Sequence, residues 1–259
     1  MQLIALAFLS LLSFPGAAIH PTIPRLASPE ERVVIRQRRV VLVRSPKLAK
    51  EFPYKKRAVV TYPVVSGLRD PSVSRRVRAL FNFKNLFGSS LKEYREESWL
   101  EEFSYVVNHN ANSLLDITFM QSGSGAYPDE HQKHLLINLN DGNVVKAEDA
   151  FESDKLAALA AAVDHKLQTE LRGLQSENAK DKDSTAEDRE SMKQAYENLK
   201  FEVANLDEFS IDRKGVTFLY DAGFPHVIQA LAPAGRYLFT YAEIKPYIKR
   251  DGPLVHFIR

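Results

Sequence analysis

Cysteine is absent from the 259 residues, and tryptophan occurs once, as Trp99. Without a thiol there is no disulfide, no thiolate nucleophile, no Cys-ligated zinc and no iron–sulfur cluster. Beyond the first eighteen residues no apolar run approaches the roughly 20 residues that a bilayer-spanning helix needs. Glycine-rich phosphate loops are missing. So is the Gly-x-Ser-x-Gly nucleophile elbow, since Gly123-Ser124-Gly125 is one residue too tight on both sides. What is present is an ordinary globular balance, 44% hydrophobic and 26% charged, which excludes a disordered or collagen-like chain. The length suits one generous domain or two small ones.

The opening MQLIALAFLSLLSFPGAA (1–18) is uncharged, broken at Pro15-Gly16 and closed by Ala17 and Ala18. This pattern is that of a secretory signal peptide, with cleavage expected after Ala18. The expected location is secreted or periplasmic. No cysteine follows to carry a lipid, so no stable membrane anchor is expected after cleavage, and packing alone must hold the exported fold together.

The net charge of +2 conceals an asymmetry. Residues 19–57 carry eleven basic side chains against Glu30, Glu31 and Glu51, a segment of +8 beside a remainder of −6. One reading is a patch for an anionic partner such as teichoic acid, phospholipid head groups or nucleic acid, the last disfavoured by export. The better supported reading is a solvated edge strand. Val33 to Ile35 and Val40 to Val43 alternate with arginines that discourage edge-to-edge pairing.

Further along, Ala58 to Val65 is strand-like, and Asp70-Pro71 offers a cap and first turn for a helix burying Val73, Val77, Leu80 and Phe81. Strands are predicted at Glu102 to Asn108 and Ser113 to Gln121, with turn chemistry at Asn108 to Asn112 and a strand end at Ser122 to Gly125. Asn140-Asp141-Gly142-Asn143 predicts a hairpin between His134 to Leu139 and Val144-Val145. Asp154 to Gln175 is an amphipathic helix. The stretch 176–190 contains no large apolar residue and reads as a solvated insertion before a short helix through Met192, Ala195 and Leu199. Strands return at Phe209 to Ile211, Val216 to Tyr220 and Tyr237 to Tyr241, and Thr240 and Glu243 have capping-box spacing. The expected class is α+β, an antiparallel meander with helices packed on one side. Its expected single domain spans 58–250, between the basic segment 19–57 and a tail at 251–259.

Three stretches carry a family resemblance: YPVVSGLRDPSVSRRV (Tyr62 to Val77), SGSGAYPDEHQKHLLINLNDGNVVKAEDAF (Ser122 to Phe151), and GVTFLYDAGF through YLFTYAEIKPYI (Gly215 to Ile248). Together they resemble the extracytoplasmic domain shared by RsiV-type anti-sigma factors and PdaC-type peptidoglycan deacetylases. The match covers roughly residues 58 to 250, with Ser124 and Tyr127 standing where the family pattern has glycine and histidine. The resemblance implies an exported α+β binding or sensing module without catalytic function, whose partner is a lysozyme-like protein or a cell-wall glycan.

The densest titratable group is Asp129 to His134. On a strand, Asp129 and His131 share a face while His134 points away; on a loop all three converge, which would suit a metal-assisted hydrolase. A binding role directs attention to Tyr127, Asp129, His131 and Phe224, because an aromatic ring in a turn can stack on a sugar or fill a partner's pocket. Phe224 also reads as tucked over a sheet edge. Trp99 reads as core, and no cofactor is expected.

Overall fold

The computed structural model describes residues 32–97, 99–125, 128–224 and 226–258. The leader (1–18) and Tyr127 lie outside the described residues. Strands β1 (Val34–Val43) and β2 (Arg57–Ser66) pair antiparallel in an unbroken register from Val34↔Ser66 to Val43↔Arg57. Helix α1 (Pro46–Glu51) and a tight turn over Pro53–Lys55 join them. Next, α2 (Pro71–Leu80), α3 (Phe83–Phe87) and α4 (Leu91–Arg95) cross over to β3 (Leu100–Ala111). As predicted, Asp70 caps α2 by accepting from the Ser72 N–H at 2.6 Å. The crossover is required because β3 runs parallel to β2, at Val59↔Glu102 and Val60↔Phe103.

Strands β4 (Leu114–Ser124), β5 (Pro128–Asn138) and β6 (Asn143–Val144) complete a six-stranded sheet in the order β1-β2-β3-β4-β5-β6. After α5 (Ala147–Ala150), α6 (Leu156–Lys180) and α7 (Ala186–Tyr196), a second antiparallel sheet forms from β7 (Phe209–Ile211), β8 (Gly215–Leu219) and β9 (Arg236–Thr240). Helix α8 (Tyr241–Ile244) then opens on the predicted Thr240–Glu243 capping box. The expected α+β class is correct, with the parallel β2–β3 contact and the second sheet as additions.

Alternation along β4 feeds two cores. Leu115, Ile117 and Phe119 pack with Val73, Val77 and Phe83 of the α2–α3 side, whereas Leu114 joins Phe209, Ile211, Phe218 and the α6 residues Leu159, Val163 and Leu167. The large sheet is therefore covered on one face by the α2–α4 side and on the other, over β3 to β5, by the small sheet and its helices, while Val41 of β1, Val64 of β2 and Val106 of β3 stay exposed.

Four local expectations change. The β3–β4 turn is only Asn112-Ser113, both at positive φ, and Asn108 and Asn110 remain in the strand. There Asn110 exchanges two hydrogen bonds with the Val33 backbone, at 3.1 and 2.8 Å. Strand β4 continues through Gly123, which pairs with Asp129. The stretch 176–190 is largely helical: α6 runs to Lys180, and Thr185 and Asp188 form a capping box that starts α7. The tail packs on the domain, with Leu254 buried and Phe257 stacked on Tyr241 at 4.9 Å. Among the described residues no helix is long and apolar enough to cross a membrane.

Candidate functional site at the end of the β4–β5 hairpin

The register of β4 and β5 sets Gly123 opposite Asp129 and Gln121 opposite His131, so Asp129 and His131 project from the same face. Their side chains meet, His131 Nε2 lying 3.2 Å from Asp129 Oδ2, and both are about half exposed. Trp99, partly buried at the rim of the α2–α4 core, presents its ring 5.3 Å from that of His131, tilted by 40°. It is a rim residue rather than the core residue expected. Gly123 permits this arrangement, because a Cβ there would lie 1.9 Å from the Trp99 carbonyl oxygen. The Ser124 N–H donates to that same oxygen at 3.1 Å.

Behind the aromatic pair, the hairpin end is fixed by a cation from the basic N-terminal segment. Lys55 is buried, with Nζ donating to the Ser124 carbonyl and hydroxyl and pairing with Glu101 at 3.2 Å. The Ser124 hydroxyl in turn donates to Glu101 and holds that carboxyl below its ordinary range. Arg44 is buried too, donating to the carbonyls of Tyr94 and Leu100. These two residues depart from the expected solvated face, whereas Arg36, Arg38 and Arg39 of β1 are exposed as expected.

His134 lies on the opposite face, buried between the sheets. Its Nδ1 is 3.2 Å from the Thr118 hydroxyl, while Nε2 has no hydrogen-bond partner and faces Asp116 Oδ1 at 3.6 Å. Asp116 is fully buried, accepting from the Ile211 N–H at 2.6 Å and from Asn108 Nδ2 at 2.7 Å. It was not legible as a site residue, because the face of β4 opposite Leu115, Ile117 and Phe119 reads as solvated. The strand geometry thus separates His134 from Asp129 and His131, and among the described residues no three His, Asp or Glu side chains converge on a metal-sized site.

No family model matches the chain, and no curated protein matches it by sequence. Solved structures do match it. A member of the DUF3298 family from Bacteroides fragilis is 15% identical and superposes with a TM-score of 0.52, covering 89% of this chain and 97% of that one. The chain has a DUF3298-type fold. A DUF3298 family protein from Pseudomonas aeruginosa is 13% identical, with a TM-score of 0.49 over 86% of this chain and 95% of the other. At these identities the likeness speaks for the fold alone.

Within this DUF3298-type fold, Phe224 stacks on Tyr196 at 6.3 Å and packs against the α6 core, away from the Trp99 group in its partners. A polar cleft of about 270 Å³ opens between the β5–β6 turn and Lys249 to Pro253. Two of its carboxylates, Asp141 and Asp149, already accept the backbone N–H groups of Asn143 and Lys146.

The buried pair makes a pH prediction. Burial pushes the Asp116 carboxyl up to about 6, above its unfolded value, so its contribution is fully present below the unfolded pKa of 3.8 and is lost as pH rises through about 6. Burial pulls His134 down to about 4, so its contribution is present above 6.5 and is lost as pH falls through about 4. Between these limits the two oppose each other, each by about 3 kcal/mol. Asp116→Asn is therefore expected to lose stability, relative to wild type, on going from pH 6.5 toward pH 4. His134→Gln is expected to gain it. Urea midpoints across that range check both signs, and parallel profiles for the two variants would refute the assignment.

Proposed function

We propose that the protein is an exported, non-enzymatic binding domain of the cell envelope that takes peptidoglycan-derived glycan at the end of the β4–β5 hairpin. The single observation carrying this reading is the Trp99–His131 pair with Asp129 beside it, held on a hairpin end that Lys55 locks to the sheet. A partly exposed indole supplies a flat apolar face for a sugar ring, and the adjacent imidazole and carboxylate supply hydrogen bonds to its hydroxyls. Tyr127 joins the site on sequence grounds, lying in the connection between Gly125 and Pro128. The resemblance to the RsiV-type and PdaC-type extracytoplasmic domain supports an envelope ligand.

Calorimetric titration with soluble muropeptides tests the reading, with a lysozyme-like protein as the parallel ligand. Trp99→Ala is expected to weaken glycan binding by at least about 10-fold, the cost of removing a central aromatic contact. Glycan binding that is absent, or indifferent to Trp99→Ala, would overturn it. Binding of the lysozyme-like protein alone would transfer the surface to a protein partner.

A further inference from the structure

A different surface carries a second ligand chemistry, independent of the glycan reading. Between β1 and β2 the chain turns inward twice, at Arg44 and at Lys55, and both side chains are spent on carbonyls of α4, β3 and β4. The Ser45 N–H adds a bond to the Arg95 carbonyl at 3.2 Å. This end of the hairpin is therefore firmly seated, yet it turns its apolar residues outward. Tyr54 is 79% exposed and Val43 54% exposed, the two most exposed large hydrophobics among the described residues. Lys47, Lys50, Lys56 and Arg57 of the same stretch are exposed as well, and Glu51 is the single acidic side chain in residues 32–57.

Cations at this density repel one another unless an anionic partner offsets them. A soluble polyanion would use the charge but leave Tyr54 and Val43 in water. A strand added to the free edge of β1 would run along Arg36, Arg38 and Arg39 rather than engage the turn. An anionic bilayer surface uses both features: head groups meet the lysines, and the amphipathic phenol settles at the interface with its ring in the acyl boundary. We propose that the closed end of the β1–β2 hairpin docks reversibly on an anionic lipid surface through Tyr54 and Val43 together with the exposed Lys47, Lys50, Lys56 and Arg57.

Co-sedimentation of the full chain with vesicles of phosphatidylcholine and phosphatidylglycerol, against vesicles of phosphatidylcholine alone, tests the proposal. Binding to the neutral vesicles measures any contribution of the apolar leader, which is common to all variants. Preferential binding to the anionic vesicles is expected. Replacing Lys47 and Lys50 by glutamine should weaken it about 25-fold, at roughly 5-fold per lysine. Tyr54→Ala should weaken it several-fold at unchanged charge. All three side chains are exposed, so thermal melting should not change. Equal binding to both vesicle types, or a loss on removing the lysines with none from Tyr54→Ala, would overturn the proposal; the second result would leave a charge-only polyanion surface. Saturable binding of a soluble acidic peptide without vesicle binding would also overturn it, in favour of strand addition.

Discussion

Asp116→Ala is expected to lower the unfolding free energy by about 2–4 kcal/mol, the largest single effect outside the apolar core. Its carboxylate is the one polar side chain that reaches from the middle of β4 to the second sheet, where it receives the Ile211 N–H at 2.6 Å. It also receives Asn108 Nδ2 at 2.7 Å from the neighbouring strand. Alanine leaves the buried Ile211 N–H without an acceptor, which costs about 1–3 kcal/mol, and takes one of the two acceptors of the part-buried Asn108 Nδ2, which keeps the Thr118 hydroxyl at 3.0 Å. Asparagine keeps one acceptor oxygen and should lose less. Urea denaturation ranks the variants, and hydrogen exchange at the Ile211 amide locates the effect. A loss under about 1 kcal/mol for alanine would mean that the sheets are joined by apolar packing alone.

Gly123→Ala should destabilise by about 3 kcal/mol for a different reason, overpacking of one backbone against another. The new Cβ would stand 1.9 Å from the Trp99 oxygen and 2.7 Å from its carbonyl carbon. Neither is the end of a flexible side chain, so β3 has to move where its pairing with β4 already slips, between Leu100 and Glu102. Displacing Trp99 should also weaken glycan binding, linking stability to function at one position. Gly125→Ala is the control. Its nearest neighbour is Trp99 Cδ1 at 3.9 Å, an ordinary contact, and the change should stay within about 0.5 kcal/mol.

The contrast between these glycines shows what could and could not be read from the chain. Local rules worked where the information is local: the Asp70 cap, the Asp141-Gly142 hairpin and the Thr240–Glu243 box all form at the expected places. Ser122 to Gly125 resembles flexible turn chemistry, and only the approach of Trp99, far away in sequence, reveals Gly123 as a packing requirement. Asn108 and Asn110 mimic a turn for the same reason. Their side chains are satisfied by Asp116, across the β3–β4 hairpin, and by Val33, 77 residues away.

Polar residues with long-range roles were the least legible. Arg44 and Lys55 are hidden in a run of exposed cations, and Asp116 lies on a strand face that reads as solvated because the small sheet covering it is about 95 residues away. The helical part of 176–190 carries no apolar stripe, so periodicity is silent there, although the Thr185–Asp188 spacing was a usable start signal. At the candidate site, the strand alternative for Asp129 to His134 correctly placed Asp129 and His131 together and His134 apart. The contribution of Trp99 was missed, since a lone tryptophan beside Leu100 and Phe103 looks like core.

Because Trp99 is the only tryptophan, its emission reports on the proposed binding surface without any label. The most direct test is a fluorescence titration of the full-length protein with soluble muropeptides. A saturable shift or quench of the emission is expected, weakened by His131→Ala and Asp129→Ala and unchanged by substitution of Phe224. Emission that stays constant to ligand saturation, with binding registered by calorimetry in the same samples, would contradict the placement of the glycan site at the end of the β4–β5 hairpin.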